Sequence, residues 1–239
     1  MQVIDSVLNL IFPRHCPVCD KVLKYSECKE LIHEECKGKI RYVSGPVCMK
    51  CGKPMKKDET SEYCGDCMNT KHRFKRGFSV FNYRSISGSI YKFKYLGRQE
   101  YADFYAKETE KCLGKKLKSL GIDAIIPVPM YEEKEYKRGY NQANVYAGKL
   151  SKRIGIPVFD NVIVRTKRTR PMKELDVRGR RNNLKKAFNI VRNDVKFKCI
   201  LIIDDIYTTG STIDEIAHEF QIAGVNTVYC LTLAIGQTT

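Results

Sequence analysis

Ile200-Leu-Ile-Ile-Asp-Asp-Ile-Tyr-Thr-Thr-Gly-Ser-Thr212 is the stretch that decides how this chain folds. Cys199 to Ile203 is apolar throughout and rich in Ile, as in a parallel strand covered on both faces. Asp204 and Asp205 then fall at its carboxyl end, where open α/β sheets place their ligands. Thr208 to Thr212 bring backbone N–H groups and hydroxyls to the start of a helix, whose positive dipole end favours an anion. Acceptors for sugar hydroxyls therefore stand beside donors for a phosphate, the chemical outline of a ribose 5-phosphate site. The bland alternative, an Asp pair that merely solvates a strand end, leaves the Gly and the run of hydroxyls unexplained.

Outward from that unit the chain alternates strands and helices. Phe78, Val80 and Phe81 read as a first strand. Ile86 to Lys94 fits strand or helix, and helix is preferred because Tyr101 to Leu113 continues amphipathically after Gly97. Asp123 to Val128 is the next strand, followed by a loop rich in Lys and Glu. A helix from Asn141 to Ile154 stops at Gly155 and Pro157, and Val158 to Val164 is a further strand. Thr166 to Lys186 carries nine Lys or Arg and reads as a long polar loop. Asn226 to Leu233 closes a βαβ unit, with Gly224 as the helix stop. Such alternation implies a mainly parallel sheet flanked by helices.

The amino-terminal part has a different chemistry. Eight of the eleven cysteines lie between Cys16 and Cys67. Cys48-x-x-Cys51, twelve residues, then Cys64-x-x-Cys67 is the spacing of a zinc ribbon, in which two tight turns each aim two thiolates at one metal. Upstream, Cys16-x-x-Cys19 is followed after thirteen residues by His33-x-x-Cys36. His33 preserves the repeat; Cys28 is the competing ligand and would make the site all-thiolate. One metal with a degenerate first half is a third option. A disulfide framework is disfavoured in a cytosolic chain. Modules this small owe their fold to metal, so the implied Zn²⁺, two ions at full occupancy, is structural. Cys112, Cys199 and Cys230 read as small core residues.

These features divide the chain into a zinc-ribbon module with a short amphipathic helix (1–70) and an α/β domain (71–239), a partition its length allows. No apolar run reaches the roughly 20 residues a membrane span needs, and Asp5 with no basic n-region argues against a signal peptide. Membrane insertion is not expected, and the reading is cytoplasmic. Lys and Arg number 43 against 27 Asp and Glu, a formal net charge of +16. Seven thiolates holding two Zn²⁺ would remove only a few of those charges. The surface therefore favours polyanions, although net charge does not choose among them.

The segment from Asp204 to Thr212 resembles the phosphoribosyl pyrophosphate (PRPP) signature of type I phosphoribosyltransferases. The resemblance implies that Asp204 and Asp205 hold the ribose 2′- and 3′-hydroxyls, directly or through Mg²⁺. Thr208, Thr209, Gly210, Ser211 and Thr212 would wrap the 5′-phosphate. The double ribbon, Lys94-Tyr-Leu-Gly97, Ile126-Pro-Val-Pro129, Arg138-Gly-Tyr-Asn-Gln-Ala143, Arg180-x-x-Asn-Leu184 and the acid pair, in that order, look like the ComF competence family across nearly the whole chain. That likeness implies a type I phosphoribosyltransferase-like fold and a cytoplasmic protein handling single-stranded DNA in natural transformation. DNA-uptake machinery proteins would be its partners. It also places pyrophosphate at the loop after Pro129, near Arg138, Gly139, Asn141 and Gln142. Arg180 would act as a catalytic cation on a loop that closes over PRPP.

Two positions depart from the pattern. Met172 stands where relatives usually carry Gln. Thr208 replaces the carboxylate of purine-type enzymes, so a purine held in the usual way is not expected and no general acid or base stands out. Three functional classes follow: a PRPP-binding protein that handles DNA, a phosphoribosyltransferase with an unidentified acceptor, and a PRPP-responsive regulator or adaptor. Phe74, Phe78, Tyr91 and Tyr95, set among cations, are the candidate stacking residues for unpaired bases.

Overall fold

The computed structural model describes residues 13–56, 60–166, 186–192 and 196–236. The strands are β1 (Arg76–Asn82), β2 (Ala124–Pro127), β3 (Ile163–Arg165), β4 (Phe188–Ile190), β5 (Cys199–Tyr207) and β6 (Thr227–Ile235). β1, β2, β5 and β6 form a parallel sheet in the order β1-β6-β5-β2. Ile203 lies between Pro127 of β2 and Leu231 of β6, which puts the acid pair at the centre of the sheet's carboxyl edge. β3 and β4 pair antiparallel as a separate two-stranded ribbon.

The helices are α1 (Glu34–Lys37), α2 (Gly65–Met68), α3 (Tyr83–Tyr95), α4 (Tyr101–Ser119), α5 (Glu132–Arg138), α6 (Gln142–Ile154) and α7 (Ser211–Ile222). Asn82 caps α3 directly off β1 by accepting the Arg84 N–H at 3.1 Å. Asn141 caps α6, and Gly155 ends it in the left-handed conformation that glycine adopts freely.

Alternation along β5 sorts the molecule into two cores. Leu201 and Ile203 pack with α3, α4, α6 and the first cysteine ribbon, through Cys16, Leu23, Ile32 and Ile40. Ile200 and Ile202 pack with α7, β3, β4 and the second ribbon, through Cys48, Cys51 and Cys64. Each fully buried Ile of β5 contributes about 1.5–3 kcal/mol of apolar transfer. Each ribbon thus belongs to the hydrophobic core of one sheet face. The second ribbon is seated on β1 at two glycines: a Cβ at Gly52 would come within 2.8 Å of the Gly77 carbonyl oxygen, and the Gly77 N–H donates to Lys50 O at 2.7 Å.

Several local readings change. The loop expected after Pro129 contains α5, a helix of seven residues. The strand expected from Val158 to Val164 is interrupted: Val158 bridges Ile125, and β3 begins only at Ile163, because Asp160 to Val162 turns the chain away. β5 extends through Tyr207, so Asp204 and Asp205 lie within the strand rather than beyond its end. Cys199 and Cys230 are buried as expected, but Cys112 is exposed on α4, whose buried stripe runs through Glu108 and Thr109 instead. The expected helix within residues 1–12 and the polar loop with Arg180 and Met172 lie outside the described residues. Among the described residues no helix is long and apolar enough to cross a membrane.

Candidate functional site

Two clusters of metal-ligating side chains stand in the ribbons. Cys16, Cys19, His33 and Cys36 form one, and Cys48, Cys51, Cys64 and Cys67 the other, each with its ligand atoms within 4.8 Å of one another. The Cys51 and Cys64 sulfurs lie 3.7 Å apart, close to the ~3.8 Å edge of a tetrahedron with Zn–S bonds near 2.3 Å. His33 Nδ1 faces Cys19 Sγ at 3.2 Å, while Nε2 lies 3.2 Å from the Val22 carbonyl, an outer contact that orients the ring. Cys28 turns away, its thiol donating to Lys24 O at 3.4 Å. Both donor sets fit structural Zn²⁺, which would lock the two knuckles of each ribbon together.

At the sheet's carboxyl edge, the Asp205 N–H donates to Asp204 Oδ1 at 2.8 Å, folding one carboxylate over the other residue's backbone. Lys94, at the end of α3, forms an ion pair with Asp205. Burial pushes Asp205 up, but the Lys94 ammonium outweighs it and holds the carboxyl below its usual range. Burial and then the Asp205 charge push Asp204 well above that range. Lys94 itself is opposed by burial, yet Asp205 and Asp204 hold its pKa above the ordinary lysine value. The two carboxyls are thus pushed in opposite directions, Asp205 towards the ionised form and Asp204 towards keeping its proton. Arg165, over the Phe188 ring at 5.5 Å, is lowered by burial and partly held up by the Asp204 charge.

The loop beyond the acids leads into α7. Gly210 has φ +73° and caps the helix, and a Cβ there would meet Tyr207 Oη at 2.6 Å and His72 Cε1 at 3.0 Å. Only glycine suits both the backbone and the space. Gly210 and Ser211 are buried, Thr208 is exposed, and Thr209 and Thr212 are half-buried. Thr209 and Ser211 hydroxyls bond at 2.9 Å. The loop is therefore tight, with Thr208 and Thr209 its accessible part.

The residues expected around pyrophosphate gather beside the end of β2. Asn141 donates to Val128 O at 3.0 Å and accepts from the Ala143 N–H at 2.9 Å, so its amide ties α6 to the loop containing Pro129. Gln142 accepts from Arg138. Gly139 ends α5 with φ +84°. Of this group, Arg138 carries the charge, and its guanidinium lies 5.0 Å from the Tyr95 ring. Tyr140 donates its hydroxyl to Phe93 O. Consecutive residues of α3 thus hold both sides of the site: Lys94 the acids, Phe93 and Tyr95 the segment around Arg138.

Lys94 belongs to a motif visible in the sequence, yet its place against Asp205 is not. His72 escapes sequence reading altogether: its Nδ1–H donates to Asp214 at 2.8 Å while the ring stacks on Phe74 at 4.8 Å. The partners are 142 residues apart, so no local pattern announces them. The stacking candidates divide. Phe74 and Phe78 are core residues at 0% and 6% exposure, Phe74 in the cluster of the second ribbon and Phe78 of β1 in the other core, where no base can reach them. Tyr91 and Tyr95 are 57% and 61% exposed, with ring centroids 5.1 Å apart.

Comparison with known proteins agrees with the architecture. Residues 7–68 match the double zinc ribbon domain family. The chain is 30% identical over 202 residues to Competence protein F of Haemophilus influenzae, covering 80% of this chain and 85% of that protein. It is 31% identical over 191 residues to DNA utilization protein YhgH of Escherichia coli O157:H7, covering 77% and 83%. Among solved structures it is similar to a purine phosphoribosyltransferase from Pyrococcus horikoshii Ot3, at 20% identity and TM-score 0.33, over 58% of this chain and 73% of that one. That degree of identity over most of both chains, with a double zinc ribbon at residues 7–68, means that the chain belongs to the Competence protein F family.

Proposed function

We propose that this protein binds PRPP with Mg²⁺ at the carboxyl edge of its sheet and handles single-stranded DNA in the cytoplasm during natural transformation. The observation that carries the first part is the acid pair Asp204–Asp205 leading into the Gly210-capped loop of α7. Asp205 and Asp204 would accept from the ribose hydroxyls or ligate Mg²⁺, and the 208–212 amides and hydroxyls would take the 5′-phosphate. Mg²⁺ supplies charge to the pyrophosphate when bound. Arg138 and Lys94 contribute fixed positive charge on either side. Arg180 belongs to the same reading as the cation of a closing loop.

The DNA reading rests on the net charge of +16, the exposed Tyr91–Tyr95 pair beside Arg138, and kinship with proteins named for competence and DNA utilization. Stacking on aromatic faces with cations alongside suits unpaired bases of any sequence. DNA-uptake machinery proteins are the expected partners. Isothermal titration with PRPP and Mg²⁺ tests the site. Wild-type chain binds, and the Asp204→Asn, Asp205→Asn double variant loses binding while keeping its zinc content. Equal affinity in the two proteins would dismiss the assignment. Transfer of the phosphoribosyl group to an acceptor is the second reading, favoured by a cavity that adjoins the loop.

A further inference from the structure

A cavity of about 610 Å³ opens over the carboxyl ends of β1, β6 and β5, on the far side of the acid pair from β2. One wall is the sheet edge: Tyr83, Gly236 and Tyr207 to Thr209. The opposite wall is the second cysteine ribbon, through Lys53, Gly65 and Asp66, with Asn69 and His72 from the junction. Thr208 and Thr209 are the accessible part of the phosphate loop, so whatever enters the cavity lies next to the sugar phosphate.

The lining decides the chemistry of the occupant. The volume falls within the ~300–1,000 Å³ of small-molecule sites. Lys53 is paired with Asp66 at 2.6 Å, His72 is hydrogen-bonded to Asp214 at 2.8 Å, and the metal-ligating Cys51 and Cys67 belong to the same lining. A second anion would find no surplus cation there. Tyr83, 37% exposed, offers an aromatic face, and Asn69, Thr70 and the hydroxyls of Thr208 and Thr209 offer donors and acceptors. A flat, uncharged heterocycle with a hydrogen-bonding edge suits such walls. His72 is held by Asp214 and by its stack on Phe74, with Nε2 at 3.4 Å from the Tyr207 hydroxyl, so the floor is rigid.

We infer that this cavity seats a nucleobase and that the second metal ribbon forms its selective wall. The inference rests on the PRPP reading of the adjoining loop. It assigns to the ribbon a role beyond folding: the knuckle containing Gly65 and Asp66 contacts the base, in place of the carboxylate absent at Thr208.

The test is calorimetric, on the full chain with zinc bound and Mg²⁺ present. Ribose 5-phosphate is compared with the 5′-monophosphates of adenosine, guanosine, cytidine and uridine. At least one nucleotide should bind about 10-fold tighter than ribose 5-phosphate, the gain expected from stacking one base. Tyr83→Ala should reduce that gain. So should Gly65→Leu, which fills the cavity from the ribbon side, because a Cβ at Gly65 meets nothing within 4 Å; its zinc content is checked alongside. Binding of ribose 5-phosphate with no gain from any base overturns the inference and leaves the PRPP site standing. No binding of ribose 5-phosphate overturns both. A gain that survives Gly65→Leu in a zinc-replete protein overturns the role of the ribbon.

Discussion

Lys94 places its ammonium against the Asp205 carboxylate, 111 positions further along the chain, and so inserts a fixed cation into the acid pair. The pairing divides the work of two neighbouring carboxyls. Asp205 is held ionised, and Asp204, left with burial and a negative neighbour, retains its proton more strongly. A ligand that brings Mg²⁺ meets a site already partly neutralised from within.

Removing that cation exposes the cost of the buried charge. Lys94→Met should destabilise the fold by about 3 kcal/mol, as expected when one partner of a buried pair is deleted. Adding Asp205→Asn should recover part of the loss. Urea unfolding of the single and double variants measures the coupling, and simple additivity would show that the pair does not act as a unit.

Asp204 should show the opposite behaviour. A carboxyl raised on folding is most favourable when protonated, so its contribution falls as pH rises from the unfolded value, about 3.9, through the folded one. Asp204→Asn should therefore stabilise the protein at neutral pH by about 1 kcal/mol. The advantage should shrink as pH falls from the raised folded value towards about 4, and change little below it. Asp205, depressed on folding, has the reverse sign: its stabilisation is present above the unfolded value and lost as pH falls through the folded one. Thermal melts across a range from acid to neutral pH separate the two. An Asp204→Asn variant less stable than wild type at neutral pH would contradict the assignment.

Metal content should distinguish the two ligand candidates of the first ribbon. Wild type and Cys28→Ala should each hold two Zn²⁺ by elemental analysis, whereas His33→Ala should fall towards one. Because each ribbon lies in the core of one sheet face, chelation should also loosen the α/β part, read as faster amide exchange in β1 and β6.

Single-stranded DNA binding should depend on the outer end of α3. Tyr91→Ala with Tyr95→Ala should weaken binding of a labelled oligonucleotide by about 10-fold. Affinity should fall steeply between about 50 and 200 mM salt in both proteins, because phosphate contacts persist. Unaltered affinity in the double variant would place the strand elsewhere on the basic surface.

Gly210→Ala tests the loop itself. Its φ of +73° and the close Tyr207 hydroxyl leave no space for a methyl group. The substitution should cost about 1–3 kcal/mol and lower PRPP affinity.

What the sequence by itself determined was the chemistry that repeats locally. The Ile run of β5 can only be a strand buried on both faces, the acids and glycine follow at set intervals, and Cys-x-x-Cys knuckles need no distant partner to be recognised. Helices α4 and α6 were equally legible, while α3, whose residues fit strand or helix, was read as a helix only from the amphipathic segment that follows it. Only the tertiary structure decided which ribbon packs on which face, that Phe74 and Phe78 are core while Tyr91 and Tyr95 face solvent, and that Lys94 meets Asp205. It alone brought His72 to Asp214 and the Gly65 knuckle across from Thr208. The physical reason is common to all of these: burial and charge pairing depend on distances between segments far apart in the chain, and the packing of the sheet's two faces sets them.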